Sequence, residues 1–489
     1  MTTGLVTLVT LVAFEALAVS TAMPVAAQAL GGVREYGLAF SLFLTTSLLG
    51  IVAAGGWTDR RGPREPVLVG LVLFAGGLLV SGTATSFEVM LLGRAVSGAG
   101  GGLQVVSLYV VVAAVYPQRV QPRVFGAISA AWVLPSVIGP PVAGFLATNV
   151  SWRAVFLVVP PLALLPLPVL WPRMARLTPG THPSGTSPGL PTAPPTGPAR
   201  PSSDGRHEPW ADPPDDVRRR RAPKPDAVTA QPGIVRALGA RTRVARGLGL
   251  AAGAVLLQWG LQGAGRLPAP VVVVAGALLA AVSAPALLPR GTFRLRRGLP
   301  SLVVARGVFT GTYFGAETFV PLMLVTQRGL SPTFAGLTLT AGAVGWSAGS
   351  FLQGRAILPL ARTGLLSVGG LVVGLAILGL VPTPLGDVPP WVVAVVWGVG
   401  GLGMGLAMSS TSVLTLRLSA TGEEGRNSSA LQIGDAVGSV LGIGTAGAIF
   451  AALHTPGGDD SGAFVLIWSV LGVVGVLSSV VALRVATRP

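Results

Sequence analysis

The chain has 489 residues, of which 51% are hydrophobic and only 11% charged, and its mean hydropathy is +0.70. A soluble chain carries about 25% charged residues, so this composition excludes a globular enzyme and calls for a polytopic membrane protein. There is no Cys, the three His are scattered, and the formal charge is +16. Disulfides and thiolate metal sites are thereby excluded, and no His-based metal site or cofactor is expected.

Apolar runs of spanning length recur nearly end to end, at about fourteen positions. The first six lie near 4–30, 37–57, 67–85, 88–113, 124–148 and 153–172. The first run lacks a basic leader and a convincing cleavage site, so it is expected to be a retained helix. Two more runs follow near 247–265 and 268–289, and six close the chain near 300–325, 333–353, 364–382, 390–411, 428–453 and 463–485. Between the sixth and seventh lies a stretch rich in Pro, Ser and Gly with the run Arg218 to Arg221. It cannot bury enough apolar surface to fold. The implied layout is a six-helix bundle over 1–173, a disordered cytoplasmic linker over 174–240, two inserted helices over 241–295 and a second six-helix bundle over 296–489.

The positive balance does not point to nucleic acid, because Arg is distributed by topology. With the N-terminus inside, Arg60, Arg61, Arg64, Arg119, Arg123, Arg290, Arg294, Arg296, Arg297, Arg355, Arg362, Arg417 and Arg426 fall in inner loops. The outer side keeps Arg34, Arg266 and Arg328, with Arg153 at its border. The positive-inside rule favours this orientation, and an even number of spans then leaves both termini cytoplasmic.

Charges inside the spans are the candidates for function, because burying them in lipid is costly. Glu15 stands near the middle of the first span. Arg94 lies in the fourth, where it either pairs with a partner or snorkels to the headgroups. Arg306 and Glu317 share a face of the ninth span. They are eleven residues apart, or ~16 Å along the axis, which is too far to pair. Arg306 is expected to snorkel and Glu317 to lie deeper, near the helix-breaking Pro321. Asp435 in the thirteenth span either lines an inner vestibule or sits at a helix N-terminus as a dipole partner. Gln258 and Gln262 share a face of the seventh span and read as helix–helix hydrogen-bonding groups.

Four local patterns accompany these charges. The loop after the second span carries Gly55, Asp59, Arg60, Gly62 and Arg64 as G-x-x-x-D-R-x-G-x-R. The fourth span opens R-x-x-x-G-x-G with Arg94, Gly98 and Gly100, followed by Gly101, Gly102 and Gln104. The fifth contains Gly139, Pro140 and Gly144 in a Gly-Pro core, with Pro135 and Ala143 in place of two glycines of the fuller motif. Trp152, Arg153 and Phe156 open the sixth. In the first span, Glu15, Ser20 and Pro24 have the spacing D-x-x-x-x-N-x-x-x-P, with Glu for Asp and Ser for Asn. A weaker echo of the first two spans follows Pro321, with Gly336, Gly349, Gly354 and Arg355, as expected of two related halves.

In these motifs the chain resembles the major facilitator superfamily, and within it the fourteen-span drug:proton antiporters. The resemblance covers everything except the linker. It implies an all-α fold of two six-helix bundles with two extra central helices, no enzymatic activity, and a proton-coupled exporter. On that reading Glu15, Arg94, Glu317 and Asp435 serve proton coupling or the substrate cavity. Gly55, Asp59, Arg60, Gly62 and Arg64 form a cytoplasmic gate, and Gly139, Pro140 and Gly144 an antiporter motif. Expected partners are the bilayer of the cell (inner) membrane, protons and a lipophilic, cationic small molecule. The same machinery would also suit a lipid, siderophore or secondary metabolite. The protein is expected to act as a monomer, without nucleic acid. A membrane enzyme or receptor is disfavoured because no nucleophile–base pair, metal constellation or nucleotide loop is present.

Overall fold

In lipid every backbone N–H and C=O must be satisfied within its own segment, and an apolar run meets that demand as a helix. The computed structural model describes residues 2–116, 133–166, 240–261, 268–354, 360–386, 388–420 and 423–486, together with the single positions 120, 124, 127, 131 and 168. The linker of the sequence reading therefore lies outside the described residues, apart from Ala240, which begins a helix.

The long helices follow the apolar runs. They are α1 (Thr2–Ala29), α2 (Tyr36–Arg61), α3 (Arg64–Gly82), α4 (Phe87–Val115) and α5 (Val133–Asn149), then two short helices, α6 (Trp152–Leu157) and α7 (Val159–Leu164). Next come α8 (Ala240–Leu261), α9 (Ala269–Leu287), α10 (Leu299–Thr326), α11 (Pro332–Gly354), α12 (Arg362–Gly379), α13 (Pro390–Leu418), α14 (Glu424–Leu453) and α15 (Ser461–Leu483). Among the described residues, 11 helices are long and apolar enough to cross a membrane. Apolar side chains face outward, as lipid allows. On α9 the residues Val271, Val274, Leu278 and Val282 are all exposed and share one face.

Helix termini use local chemistry. Ser86 and Ser151 cap α4 and α6 by accepting from Val89 N and Arg153 N. Gly62 ends α2 at φ 76°, a left-handed backbone that glycine adopts without Cβ strain, so the chain can turn at once into α3. Three arginines near helix ends donate to backbone carbonyls. Arg153 donates to the carbonyls of Gly82 and Ala84 (3.2 and 2.6 Å) and lies over the Trp152 ring. Arg328 donates to those of Thr383 and Val388 (2.8 and 2.6 Å), and Arg34 to that of Ala451 (3.2 Å).

Packing is set by glycine. The helices α2 and α3 lie on α4, α11 on α13, and α10 on α14. In α4, Gly98 and Gly102 abut the α2 backbone at Phe43 and Ser47, whereas Gly100 abuts α3 at Phe74. One glycine run thus serves two neighbours. The sequence reading did not identify a second ladder. Gly307, Gly311 and Gly315 of α10 face Gly434, Gly438 and Gly442 of α14, backbone on backbone. Small residues let helices approach closely where no hydrophobic force joins them in lipid.

Contacts between the earlier helices (α1 to α7) and the later ones (α10 to α15) are seen at the end opposite Thr2. Gly144 meets the Thr333 backbone, Pro140 meets Gly336, and Thr340 Oγ1 donates to the Val137 carbonyl at 3.4 Å. Tyr36 meets Phe319 edge-on at 5.5 Å, and Phe319 meets Phe450 at 5.4 Å. The pair α8 and α9 packs together, with Gly247 of α8 against Val52 of α2. Gln258 of α8 donates to the Val440 carbonyl of α14 at 3.0 Å, as the helix–helix reading expected, while Gln262 lies outside the described residues.

A Cβ at position 438 would overlap the Gly307 carbonyl. Gly438→Ala is expected to lower stability by about 1–3 kcal/mol through overpacking. Gly76→Ala, where a Cβ meets nothing within 4 Å, should change it by no more than ~0.5 kcal/mol. Thermal melts of the two purified variants in one detergent check the contrast. Equal melting temperatures would refute the close crossing.

Candidate functional site

The centre of the earlier half is an ion pair held by three helices. Glu15 of α1 and Arg94 of α4 are 1% and 2% exposed, and Arg94 Nη1 donates to Glu15 Oε1. Arg94 does not snorkel. Its Nε donates to the Ala39 carbonyl of α2 at 3.0 Å, and its guanidinium lies 4.3 Å from the Phe43 ring centroid. Glycine makes this reach possible, because Gly98 and Gly102 bring α4 against α2 just beyond Arg94. The pairing leaves one carboxylate oxygen, Glu15 Oε2, buried without a hydrogen-bond partner.

Ser20 does not reach the pair. Its hydroxyl donates to the Ala16 carbonyl of its own helix at 3.1 Å. Further along α4, Gln104 is buried with neither side-chain polar atom partnered, and Ser107 Oγ is likewise unpartnered. Buried polar groups are normally satisfied, so these positions mark the path along α4 as polar.

The glycines of the fifth span pack directly against this centre. A Cβ on Gly139 would meet Phe14 at 3.5 Å and Leu17 at 3.9 Å, the residues flanking Glu15 on α1. Pro140 and Gly144 face α11. The Gly-Pro motif therefore joins α1, α5 and α11.

In the later half, Arg306 does not snorkel as expected. Its Nε lies 3.3 Å from Asp435 Oδ1, and its Nη1 donates to Thr411 Oγ1 at 2.8 Å. Its Nη2 is 3.3 Å from Asp435 Oδ2 and 3.4 Å from Gln432 Oε1. The partner was missed because it lies on a different helix, 129 residues away. Asp435 is likewise not a helix-end carboxylate. The helix α14 begins at Glu424, eleven residues earlier, whereas the dipole acts within the first turn. The pair joins α10 to α14 beside the glycine ladder, and Thr411 adds α13.

Glu317 is different. It lies half-buried on α10 beside the Trp397 indole, and among the described residues it has no ion-pair partner. Glu15, Arg94, Glu317 and Asp435 are thus not one cluster. The structure brings together Glu15 with Arg94 and Asp435 with Arg306, and leaves Glu317 apart.

For the loop after α2, the side chains of Asp59 and Arg60 and the packing of Gly55 lie outside the described residues. What is described is Gly62, whose N–H donates to the Thr58 carbonyl at 2.9 Å, and a surface contact of Arg61 with Glu65 at 3.4 Å. Trp57 Nε1 also donates to Glu65 at 3.1 Å. Sequence reasoning missed Glu65, and its spacing of four from Arg61 was the available signal.

Comparison with known proteins agrees with this architecture. The family profile "Major Facilitator Superfamily" matches residues 5–228. A "Probable multidrug-efflux transporter" of Mycobacterium tuberculosis is 26% identical over 460 residues, covering 92% of this chain and 87% of that one. An "MFS transporter L2" of a Phoma species is 33% identical over 150 residues, but that stretch is 30% of this chain and only 25% of the relative's length. Among solved structures, a peptide transporter POT in complex with sulfate superposes with a TM-score of 0.63 at 15% identity, covering 99% of this chain and 95% of the other. That likeness concerns the fold alone. The all-helical architecture, the apolar spans and these matches agree in their similarity to the major facilitator superfamily, whose model matches the first part of the chain, and they support a multi-pass membrane transporter.

Proposed function

We propose that the protein is a proton-coupled exporter of lipophilic, cationic small molecules that works by alternating access. The observation that carries this reading is the buried Glu15–Arg94 pair, which ties α1 to α4 and, through Arg94, to α2. A carboxylate and a guanidinium are stable inside a bilayer only while they neutralise each other. Protonating Glu15 removes one half of that balance. It frees Arg94 and changes which helix arrangement is favoured, so a proton moves the conformational equilibrium by differential stabilisation of its two states.

The proposed architecture is two six-helix bundles, 1–173 and 296–489, with α8 and α9 as an inserted pair and 174–240 as the connecting linker. The protein then has fourteen spans, resides as a monomer in the cell (inner) membrane, and keeps both termini in the cytoplasm, as the Arg distribution favours. In this orientation the contacts of α5 with α11 and of Tyr36 with Phe319 lie on the outer side. They form the outer gate of an inward-facing state, while the loop from Gly55 to Arg64 acts as the inner gate. A proton arriving from outside neutralises Glu15, the cation leaves outward, and loss of the proton to the cytoplasm resets the cycle. Efflux is further supported by the mycobacterial relative, whose name describes multidrug efflux.

In proteoliposomes with an imposed pH gradient, Glu15→Gln should abolish proton-driven substrate movement while the purified variant still elutes as a single folded species. Full retention of transport would refute the assignment. A second test uses the absence of Cys. With Val137→Cys and Thr340→Cys together, a short bifunctional methanethiosulfonate reagent should bridge α5 to α11 at this contact and stop transport, and reduction should restore it. Undiminished transport by fully cross-linked protein would exclude motion at this seam.

A further inference from the structure

Glu317, which has no ion-pair partner among the described residues, lies among aromatic rings contributed by three helices. On α10, Tyr313 and Phe314 precede Glu317 by one turn, and residues three and four apart share a helix face. Tyr313 stacks on Trp397 of α13 with centroids 4.6 Å apart and planes 23° from parallel. Trp346 of α11 meets Tyr313 edge-on at 5.7 Å, and Phe314 lies 5.5 Å from Tyr313 and 6.2 Å from Trp346. Gly342 of α11 makes the assembly fit, because a Cβ there would stand 2.7 Å from Trp397 Nε1 and 3.0 Å from the Tyr313 hydroxyl.

Two features mark this as a place for a ligand rather than ordinary packing. Tyr313 and Trp397 are buried, whereas Phe314, Trp346 and Glu317 all keep accessible surface. Trp397 is 0% exposed, and its indole N–H lies beside the Glu317 carboxyl. A carboxylate at membrane depth without a cation is uncommon. The other two intramembrane acids, Glu15 and Asp435, each have an arginine.

We infer that Glu317, Trp346, Phe314, Tyr313 and Trp397 form the recognition site for a bulky cation with delocalised charge, separate from the Glu15–Arg94 pair that carries the proton. This rests on the cation-export reading above and assigns its two tasks to different halves of the protein. Aromatic faces attract cations through the ring quadrupole, Trp most strongly, and more so where water is excluded. The carboxylate supplies the countercharge. A small, strongly hydrated cation would need several oxygen ligands, which ring faces do not provide, so the site favours organic cations whose charge is spread over apolar groups.

The test is calorimetric binding of tetraphenylphosphonium, and of neutral triphenylphosphine oxide, to the purified full-length chain in detergent. Trp346→Ala should weaken phosphonium binding about tenfold, whereas Trp346→Phe should stay within about threefold of the parent. Glu317→Gln, which preserves shape, should weaken phosphonium relative to the oxide by about tenfold. The site is overturned if the parent does not bind phosphonium, if it binds the oxide equally well, or if both Trp346→Ala and Glu317→Gln bind within about twofold of the parent. The same preparations, reconstituted with a pH gradient, separate the two readings. Proton-driven phosphonium export with unaltered binding in the variants removes the aromatic site and leaves the exporter. Selective binding that responds as expected, without proton-driven export, keeps the site and removes the coupling.

Discussion

The cost of charge in lipid governs this molecule, and the Glu15–Arg94 pair is where that cost is met most completely. Neither residue is tolerable alone at its depth. Together they require α1 and α4 to stay in contact, and the further bond from Arg94 to the Ala39 carbonyl draws in α2. Geometry that holds a buried pair must be accurate, because removing either partner leaves an uncompensated charge, at a cost of about 3–5 kcal/mol. The pair therefore acts as a constraint on helix placement as much as a chemical site, and the neighbouring glycines Gly98 and Gly102 are what allow the constraint to be satisfied.

The later half solves the same problem with different means. Arg306 and Asp435 link α10 to α14, Thr411 adds α13, and the crossing is so close that three glycines on each helix meet backbone to backbone. Among the described residues, the earlier and the later helices thus each contain an arginine–carboxylate link inside the spans, set beside a glycine-lined crossing. Glu317 breaks the symmetry. Its surroundings are aromatic rather than basic, and on the proposed cycle that difference separates the residue that meets a cationic substrate from the one that meets a proton.

The Gly-Pro motif of α5 lies between these regions. Gly139 touches the residues beside Glu15, while Pro140 and Gly144 touch α11, the helix that carries Trp346. The helices α1, α5 and α11 are thus packed in series between the Glu15–Arg94 pair and the helix that carries Trp346. Gly144 against Thr333 and Pro140 against Gly336 are contacts without intervening side chains, so small shifts of one helix are passed to the next rather than absorbed by rotamer changes.

The membrane class, most helix positions and the family resemblance were legible in the sequence, because each depends on local or periodic properties. A run of apolar residues becomes a helix wherever it crosses lipid, and the motifs around Glu15, Asp59, Arg94 and Gly139 are contiguous. Even the isolation of Glu317 from Arg306 followed from helix rise alone. What the tertiary structure decided was partnership. Glu15 and Arg94 are 79 residues apart, and Arg306 and Asp435 are 129 apart, and no spacing rule connects residues on separate helices. Both arginines could have snorkelled to the headgroups, and only the packed arrangement turns them inward. The aromatic ring set escaped the sequence for the same reason. Tyr313, Trp346 and Trp397 come from three helices, each unremarkable in its own apolar run, and they meet because Gly342 leaves room for them.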